Sequence, residues 1–292
     1  MRTITRRLTT GAAMLALAVG LAACAPARPQ AAQPGAAETA GRPVPEVVIT
    51  AREYSFSGPD SIPGGWTQIT LDNQGAKTHD LILFRMDEGK TMDDVMGALE
   101  SEGPPEWITL VGQTTAEAGE RKRFIAELAE GSYGMISFGA EQDGPPDAAQ
   151  GMVKAMTVTT APAGEVALPA ADGTVEMADF SYAVSGVAAG TQLVRVANTG
   201  AEDHEAVIFR INEGKSFADV RALLELPEEE QEQQYGELVT QVDGVMAGPG
   251  QTVYAELELE PGSYALICFL PSPANEGRPH YELGMLQELV VE

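Results

Sequence analysis

The chain repeats itself, and that constrains its fold more than any other feature. The segment Asp72-Asn-Gln-Gly-Ala-Lys-Thr-His79-Asp-Leu-Ile-Leu-Phe84-Arg-Met-Asp-Glu-Gly-Lys90 recurs 125 residues later as Ala197-Asn-Thr-Gly-Ala-Glu-Asp-His204-Glu-Ala-Val-Ile-Phe209-Arg-Ile-Asn-Glu-Gly-Lys215. Further on, Glu130-Gly-Ser-Tyr133-Gly-Met-Ile-Ser137-Phe138 returns as Pro261-Gly-Ser-Tyr264-Ala-Leu-Ile-Cys268-Phe269. Each copy then closes on Gly-Met, at Met152 and at Met285. Nearly every block keeps its order and spacing, so this is a tandem duplication, and both copies must share one fold. An Ala-, Pro- and Gly-rich stretch separates them. The expected domains are therefore residues 46–160 and 172–292, with 161–171 as linker; about 250 residues are enough for two domains of ordinary size.

Inside each copy the apolar runs are short and strand-like. Thr67-Gln-Ile-Thr-Leu and Val253-Tyr-Ala-Glu-Leu-Glu-Leu alternate polar with apolar, as half-buried strands do. Leu81–Phe84, Val207–Phe209, Ser132–Phe138 and Tyr264–Phe269 read as more fully buried strands. Turn residues punctuate them, as in Ile62-Pro-Gly-Gly and Ala197-Asn-Thr-Gly. One short helix is expected in each copy, announced by a Thr or Ser with Asp three residues on: Thr91-Met-Asp-Asp94 and Ser216-Phe-Ala-Asp219. The acidic run Glu228-Glu-Glu-Gln-Glu reads as a solvated helix face. The fold class is all-β: two tandem Greek-key antiparallel sandwiches, each with one inserted short helix.

The N-terminus carries an address. Arg2, Arg6 and Arg7 precede an apolar stretch from Gly11 to Ala23, too short for a membrane span and suited to a signal-peptide core. It ends Leu21-Ala22-Ala23-Cys24, which resembles the lipobox cut by the lipoprotein signal peptidase. Residues 1–23 are expected to be the signal peptide. Residues 24–45, rich in Ala, Pro, Gly and Gln, are a tether that buries no core. Diacylated Cys24 would hold the chain on a membrane surface of the cell envelope, facing the periplasm or the exterior. The full chain has 18 basic and 43 acidic residues. Losing the three arginines of the leader brings the net charge near −28, which excludes nucleic acid as an electrostatic partner. A partner with a basic docking surface would be steered toward it.

The second copy contains a set of polar outliers: His204, Cys268, His280 and Met285. Only three histidines exist in the chain, and Cys268 is the one cysteine not spent on lipid. Two imidazoles, a thiolate and a thioether suit copper in both oxidation states. The pattern resembles the cupredoxin, or blue-copper, family. There one histidine follows an Asn-x-Gly turn into a strand, as in Asn198-Thr-Gly-Ala-Glu-Asp-His204. A strand-ending cysteine and a His-x-x-x-Gly-Met element follow, as in Cys268 and His280-Tyr-Glu-Leu-Gly284-Met285. The resemblance covers most of 172–292 and implies an eight-stranded Greek-key sandwich with one type 1-like copper at one end. His204, Cys268 and His280 would be the strong ligands and Met285 the long axial one, in a protein of electron transfer rather than catalysis. Eleven residues separate Cys268 from His280, where familiar members have a few, so loop 269–279 must bulge out and return.

The first copy is a built-in control. It has Ser137 at the position of Cys268 and Asp147 at that of His280, while His79 and Met152 remain. No thiolate site can form there. A copper oxidase or nitrite reductase needs further histidines for a second copper centre, and this chain has none to give. The competing reading is a metal-free sandwich, with His204 locking a loop as His79 must, and both methionines filling cores. For the anchor, Cys24→Ala is expected to abolish lipid labelling and release the protein from membranes in fractionation; unchanged membrane association would overturn it.

Overall fold

The computed structural model describes residues 41–98, 104–139 and 144–292; the signal segment, Cys24 and most of the tether lie outside the described residues. In the first repeat the strands are β1 (Glu46–Arg52), β2 (Ser55–Ser57), β3 (Ser61–Pro63), β4 (Gly65–Asn73), β5 (His79–Met86), β6 (Ile108–Ala116), β7 (Arg121–Leu128), β8 (Gly131–Ile136) and β9 (Val153–Thr159). The second repeat supplies β10 (Gly173–Ala178), β11 (Ser181–Ser185), β12 (Gly190–Asn198), β13 (His204–Ile211), β14 (Val239–Ala247), β15 (Thr252–Leu259), β16 (Gly262–Ile267) and β17 (Leu286–Val291). The linker joins in once, as Val166–Ala167 pairs with Arg42–Pro43.

The strands form two sandwiches that share one sheet. One outer sheet runs β3-β9-β8-β5-β6, the other β14-β13-β16-β17, and the common sheet runs β11-β10-β12-β15-β7-β4-β1-β2. Most pairs are antiparallel, but β1 pairs in parallel with β4, β10 with β12 and β3 with β9. The shared sheet and the first repeat's outer sheet are therefore mixed, while the second repeat's outer sheet is antiparallel throughout. The alternation in Thr67–Leu71 becomes β4, and the continuous apolar runs become the central strands β5, β8, β13 and β16. Both faces of these strands are covered: Leu81, Leu83, Met135 and Leu266 are buried on the inner face, and Ile82, Phe84, Ile136 and Ile267 on the other.

The joint between the repeats is symmetric. Leu128 opposes Gly65 in the first repeat as Leu259 opposes Gly190 in the second, which makes Phe124 the counterpart of Ala255. Across the joint Ala255 pairs with Phe124, Tyr254 with Ile125 and Val253 with Ala126. Each strand therefore meets its own counterpart about a local two-fold, the self-complementary contact of a dimer built into one chain. Arg123 Nε donates to Glu256 Oε2 across it at 2.7 Å.

Helices α1 (Met92–Gly97) and α2 (Phe217–Leu224) begin where the capping residues place them. Thr91 and Ser216 each accept from the N–H three residues on, and Asp94 and Asp219 accept from the cap N–H in return. The second repeat has an additional helix, α3 (Glu228–Leu238), over the acidic run. Its sequence carries too few apolar residues for a helical stripe; Tyr235 and Leu238 join the core around Phe209.

Phe124 lies fully buried on the local two-fold. Phe124→Ala is expected to cost about 3–5 kcal/mol and to lower hydrogen-exchange protection in both repeats together. Loss confined to the first repeat would show that the shared sheet does not couple them.

Candidate metal centre

Local chain chemistry brings the donors together. Asn198 closes an Asx turn: its Oδ1 accepts the Gly200 N–H (2.8 Å), while its Nδ2 donates to the carbonyls of Glu202 (2.8 Å) and Ala247 (2.7 Å). That turn delivers His204 at the first position of β13 with its ring buried. Gly200 is needed there, since an added Cβ would fall 2.7 Å from His204 Nε2. Cys268 follows the last residue of β16. Three main-chain bonds then tie the end of the chain into a knot: Cys268 N–H to Met285 O (3.2 Å), Tyr281 N–H to Cys268 O (2.9 Å) and Met285 N–H to His280 O (2.9 Å). The loop between Cys268 and His280 does bulge and return. Pro271 bridges Pro279, Ser272 N–H donates to Arg278 O (2.9 Å), and His280 N–H donates to Leu270 O (2.9 Å), so the loop is zipped at its neck.

His204, Cys268 and His280 thus converge, fully buried, with their ligand atoms within 4.8 Å of one another. The two Nδ1 atoms are 3.0 Å apart, and Cys268 Sγ is 3.3 Å from His280 Nδ1. Each Nε2 faces a carboxylate: His204 to Asp179 Oδ1 (3.0 Å), His280 to Glu202 Oε2 (2.9 Å). A carboxylate only accepts, so both rings carry their proton on Nε2 and present a bare Nδ1 lone pair to the other and to the thiol. Two lone pairs and a thiol with one proton among them are a poor hydrogen-bond arrangement and a good cation site. Met285 is buried, and its main chain is tied to Cys268 and His280 by the same knot. The donor set fits a soft, imidazole-accepting metal ion.

Electrostatics support that reading. Burial pushes both imidazoles below their ordinary pKa, outweighing Asp179 and Glu202, so the rings stay neutral and available. Asp179 stays below the usual carboxylate range: desolvation opposes its charge, but the Ala201 N–H and the His204 ring outweigh it. Burial, and then the nearby Glu205, push the Cys268 thiol well up, so the thiol keeps its proton until a metal displaces it. The Glu205 N–H points at Cys268 Sγ at 3.5 Å, and Glu205 Oε1 accepts the Phe269 N–H at 2.9 Å.

The first repeat builds the same knot without the thiol and the second imidazole. Ser137 N–H donates to Met152 O, Ala148 N–H to Ser137 O and Met152 N–H to Asp147 O. Here His79 Nδ1 meets Asp147 Oδ2 at 2.9 Å, so its proton sits on Nδ1, the opposite tautomer from His204. Ser137 Oγ donates to Asp80 Oδ1 at 2.6 Å. The inner face of the site is closed by its own hydrogen bonds, while His79 Nε2 on the outer side has no hydrogen-bond partner.

Sequence reasoning missed Asp179, Glu202 and Glu205. The duplication held the signal: where the ligands vanish, Glu202 becomes Lys77 and Glu205 becomes Asp80.

No protein-family model and no curated protein matches the chain. Among solved structures, the reduced auracyanin of Roseiflexus castenholzii is similar at 20% identity and a TM-score of 0.30, over 40% of this chain and 98% of that one. Auracyanin A of Chloroflexus aurantiacus, a blue copper protein, is similar at 19% identity and a TM-score of 0.28, over 39% of this chain and 99% of that one. The copper nitrite reductase of Nitrosomonas europaea is similar at 13% identity and a TM-score of 0.23, over 85% of this chain and 93% of that one. With scores this low, the case for a metal rests on the chain's own residues.

Glu205 yields a pH test. Burial raises its pKa from 4.5 to about 7. The folded state then holds a proton that the unfolded state releases, so this group's stabilising contribution is present below about 4.5 and is lost as pH rises through about 7. Glu205→Gln keeps the acceptor for Phe269 and should remove that slope, leaving the metal-free variant more stable than wild type at pH 8. Chemical denaturation of both at pH 5 and pH 8 checks it; parallel pH slopes would sink the assignment.

Proposed function

We propose that the second repeat binds one copper ion, which His204 Nδ1, His280 Nδ1 and Cys268 Sγ would hold with the Met285 thioether as a weaker fourth donor, and that the protein transfers electrons. One observation carries the reading: two Nε2-anchored imidazoles aim bare Nδ1 lone pairs at a buried thiol. Copper in such a set supplies one-electron chemistry, since imidazole suits both oxidation states and sulfur suits Cu(I). The chain's residues do the rest. Asp179 and Glu202 hold the ring tautomers, the zipped loop keeps His280 in place, and Phe180, edge-on to His280 at 5.1 Å, helps exclude water.

The sequence supports electron transfer rather than catalysis at a second copper. The histidines number three, and His79 is held by Asp147. A net charge of −25 favours a redox partner with a basic docking face, whose association would weaken with salt. The lipobox-like Leu21–Cys24 supports tethering to a membrane surface outside the cytoplasm. No helix among the described residues is long and apolar enough to cross a membrane.

The mature protein is expected to take up one Cu(II) per chain and show a visible thiolate-to-copper absorption, which Cys268→Ser removes while the fold remains. The duplicated histidines separate ligand from scaffold. His204→Ala should abolish the stabilisation that copper confers in thermal melts. His79→Ala should cost about 1–3 kcal/mol with copper and without it. No copper uptake by the wild type, or equal copper-independent losses in both variants, would make the metal-free module the better account.

A further inference from the structure

Near the metal centre, but walled mainly by the first repeat, lies a partly open apolar cavity of about 290 Å³. Its walls include Ile82, Phe84, Val95 and Leu110, with Met246 and Leu270 reaching in from the second repeat. Its described lining contains no charged or hydrogen-bonding side chain.

The second repeat shows what this corner of the sandwich holds when it is full. There Phe209, the counterpart of Phe84, meets the Tyr235 ring edge-on at 5.2 Å and Phe269 at 6.0 Å. Phe269, the counterpart of Phe138, meets Tyr281 at 5.7 Å. The first repeat lacks both tyrosines. Tyr235 rides on α3, which has no counterpart among the described residues. Tyr281 corresponds to Ala148, for each donates its N–H to the carbonyl of Cys268 or Ser137 respectively.

We propose that this cavity binds a small neutral aromatic molecule, a single substituted ring that takes the place Tyr235 fills in the second repeat. A dry apolar cavity of about 150 Å³ is already enough for benzene. The described lining offers ions and strongly polar molecules no partner, so their desolvation there would go uncompensated. Phe84 and Phe138 offer edge-to-face contacts like those in the second repeat. The occupant would also touch Leu270, whose carbonyl accepts the His280 N–H, so the cavity adjoins the strand end that carries the metal ligands. The inference does not depend on copper being bound.

Titration of the metal-free mature protein with fluorobenzene, followed by fluorine NMR, tests it. Saturable binding at one site per chain is expected. Ala98→Trp should fill the cavity and Leu110→Gln should make its wall polar, each weakening binding by about tenfold or more. Leu110→Gln carries the residue that the second repeat has at this place, Gln241, so folding should survive. Absence of saturable binding, or unchanged affinity in both variants, overturns the proposal. Self-association that fluorobenzene reverses would instead assign the cavity to a side chain of a second copy, and would overturn it equally.

Discussion

Everything at the active end of each sandwich hangs on one main-chain knot. In the second repeat it joins Cys268, His280, Tyr281 and Met285; in the first it joins Ser137, Asp147, Ala148 and Met152. The bonds use only N–H and C=O groups, so they are indifferent to the side chains they carry. This is why the same place can present a thiol and an imidazole in one copy, and a hydroxyl and a carboxylate in the other. Side-chain chemistry is then decided inside a fixed frame. A buried frame also sets a strict condition on its contents, because an unpaired polar atom there has no water to turn to.

The two repeats answer that condition by different means, and each leaves lone pairs in a different place. In the first, Asp147 gives His79 Nδ1 an acceptor, and Asp80 gathers the Ser137 hydroxyl with the Phe138 and Gly139 N–H groups. The Nε2 lone pair of His79, on the far side of the ring, is left without a hydrogen-bond partner. In the second, Asp179 and Glu202 take the Nε2 protons, and the inner face is left rich in lone pairs. The imbalance is what makes the second site suited to a cation. The carboxylates lie on the outer side of the rings, so they neutralise charge without competing for the metal position.

Much of this was legible in the sequence because duplication supplies an internal comparison. Strand positions followed from alternation at Thr67–Leu71 and Val253–Leu259, and helix starts from the capping residues at Thr91 and Ser216. His204, Cys268 and His280 stood out because the copies differ there while the surroundings agree. What stayed hidden was long-range. Nothing in β7 or β15 announces that the two strands pair across a local two-fold, because an exposed sheet edge and a joined one read alike in sequence. Asp179 lies 25 residues from the histidine it orients, in a turn with no metal-like signature. The neck of loop 269–279 depends on a Pro271–Pro279 bridge that spacing alone does not reveal.

The two arrangements also explain why the copies differ at several positions rather than one. Replacing only Cys268 by serine would leave two Nδ1 lone pairs 3.0 Å apart with a single hydroxyl proton to share. Replacing only His280 by aspartate would set a buried carboxylate beside a thiol and against a ring whose Nε2 proton Asp179 already holds. The inner face of a metal-free frame closes when the carboxylate meets a ring free to carry its proton on Nδ1. In the first repeat that freedom exists because Glu53 stands 3.9 Å from His79 Nε2, beyond hydrogen-bond reach. The identity of one outer carboxylate and its distance from the ring therefore select the tautomer. The tautomer in turn decides whether the frame holds a proton or presents a lone pair to a cation.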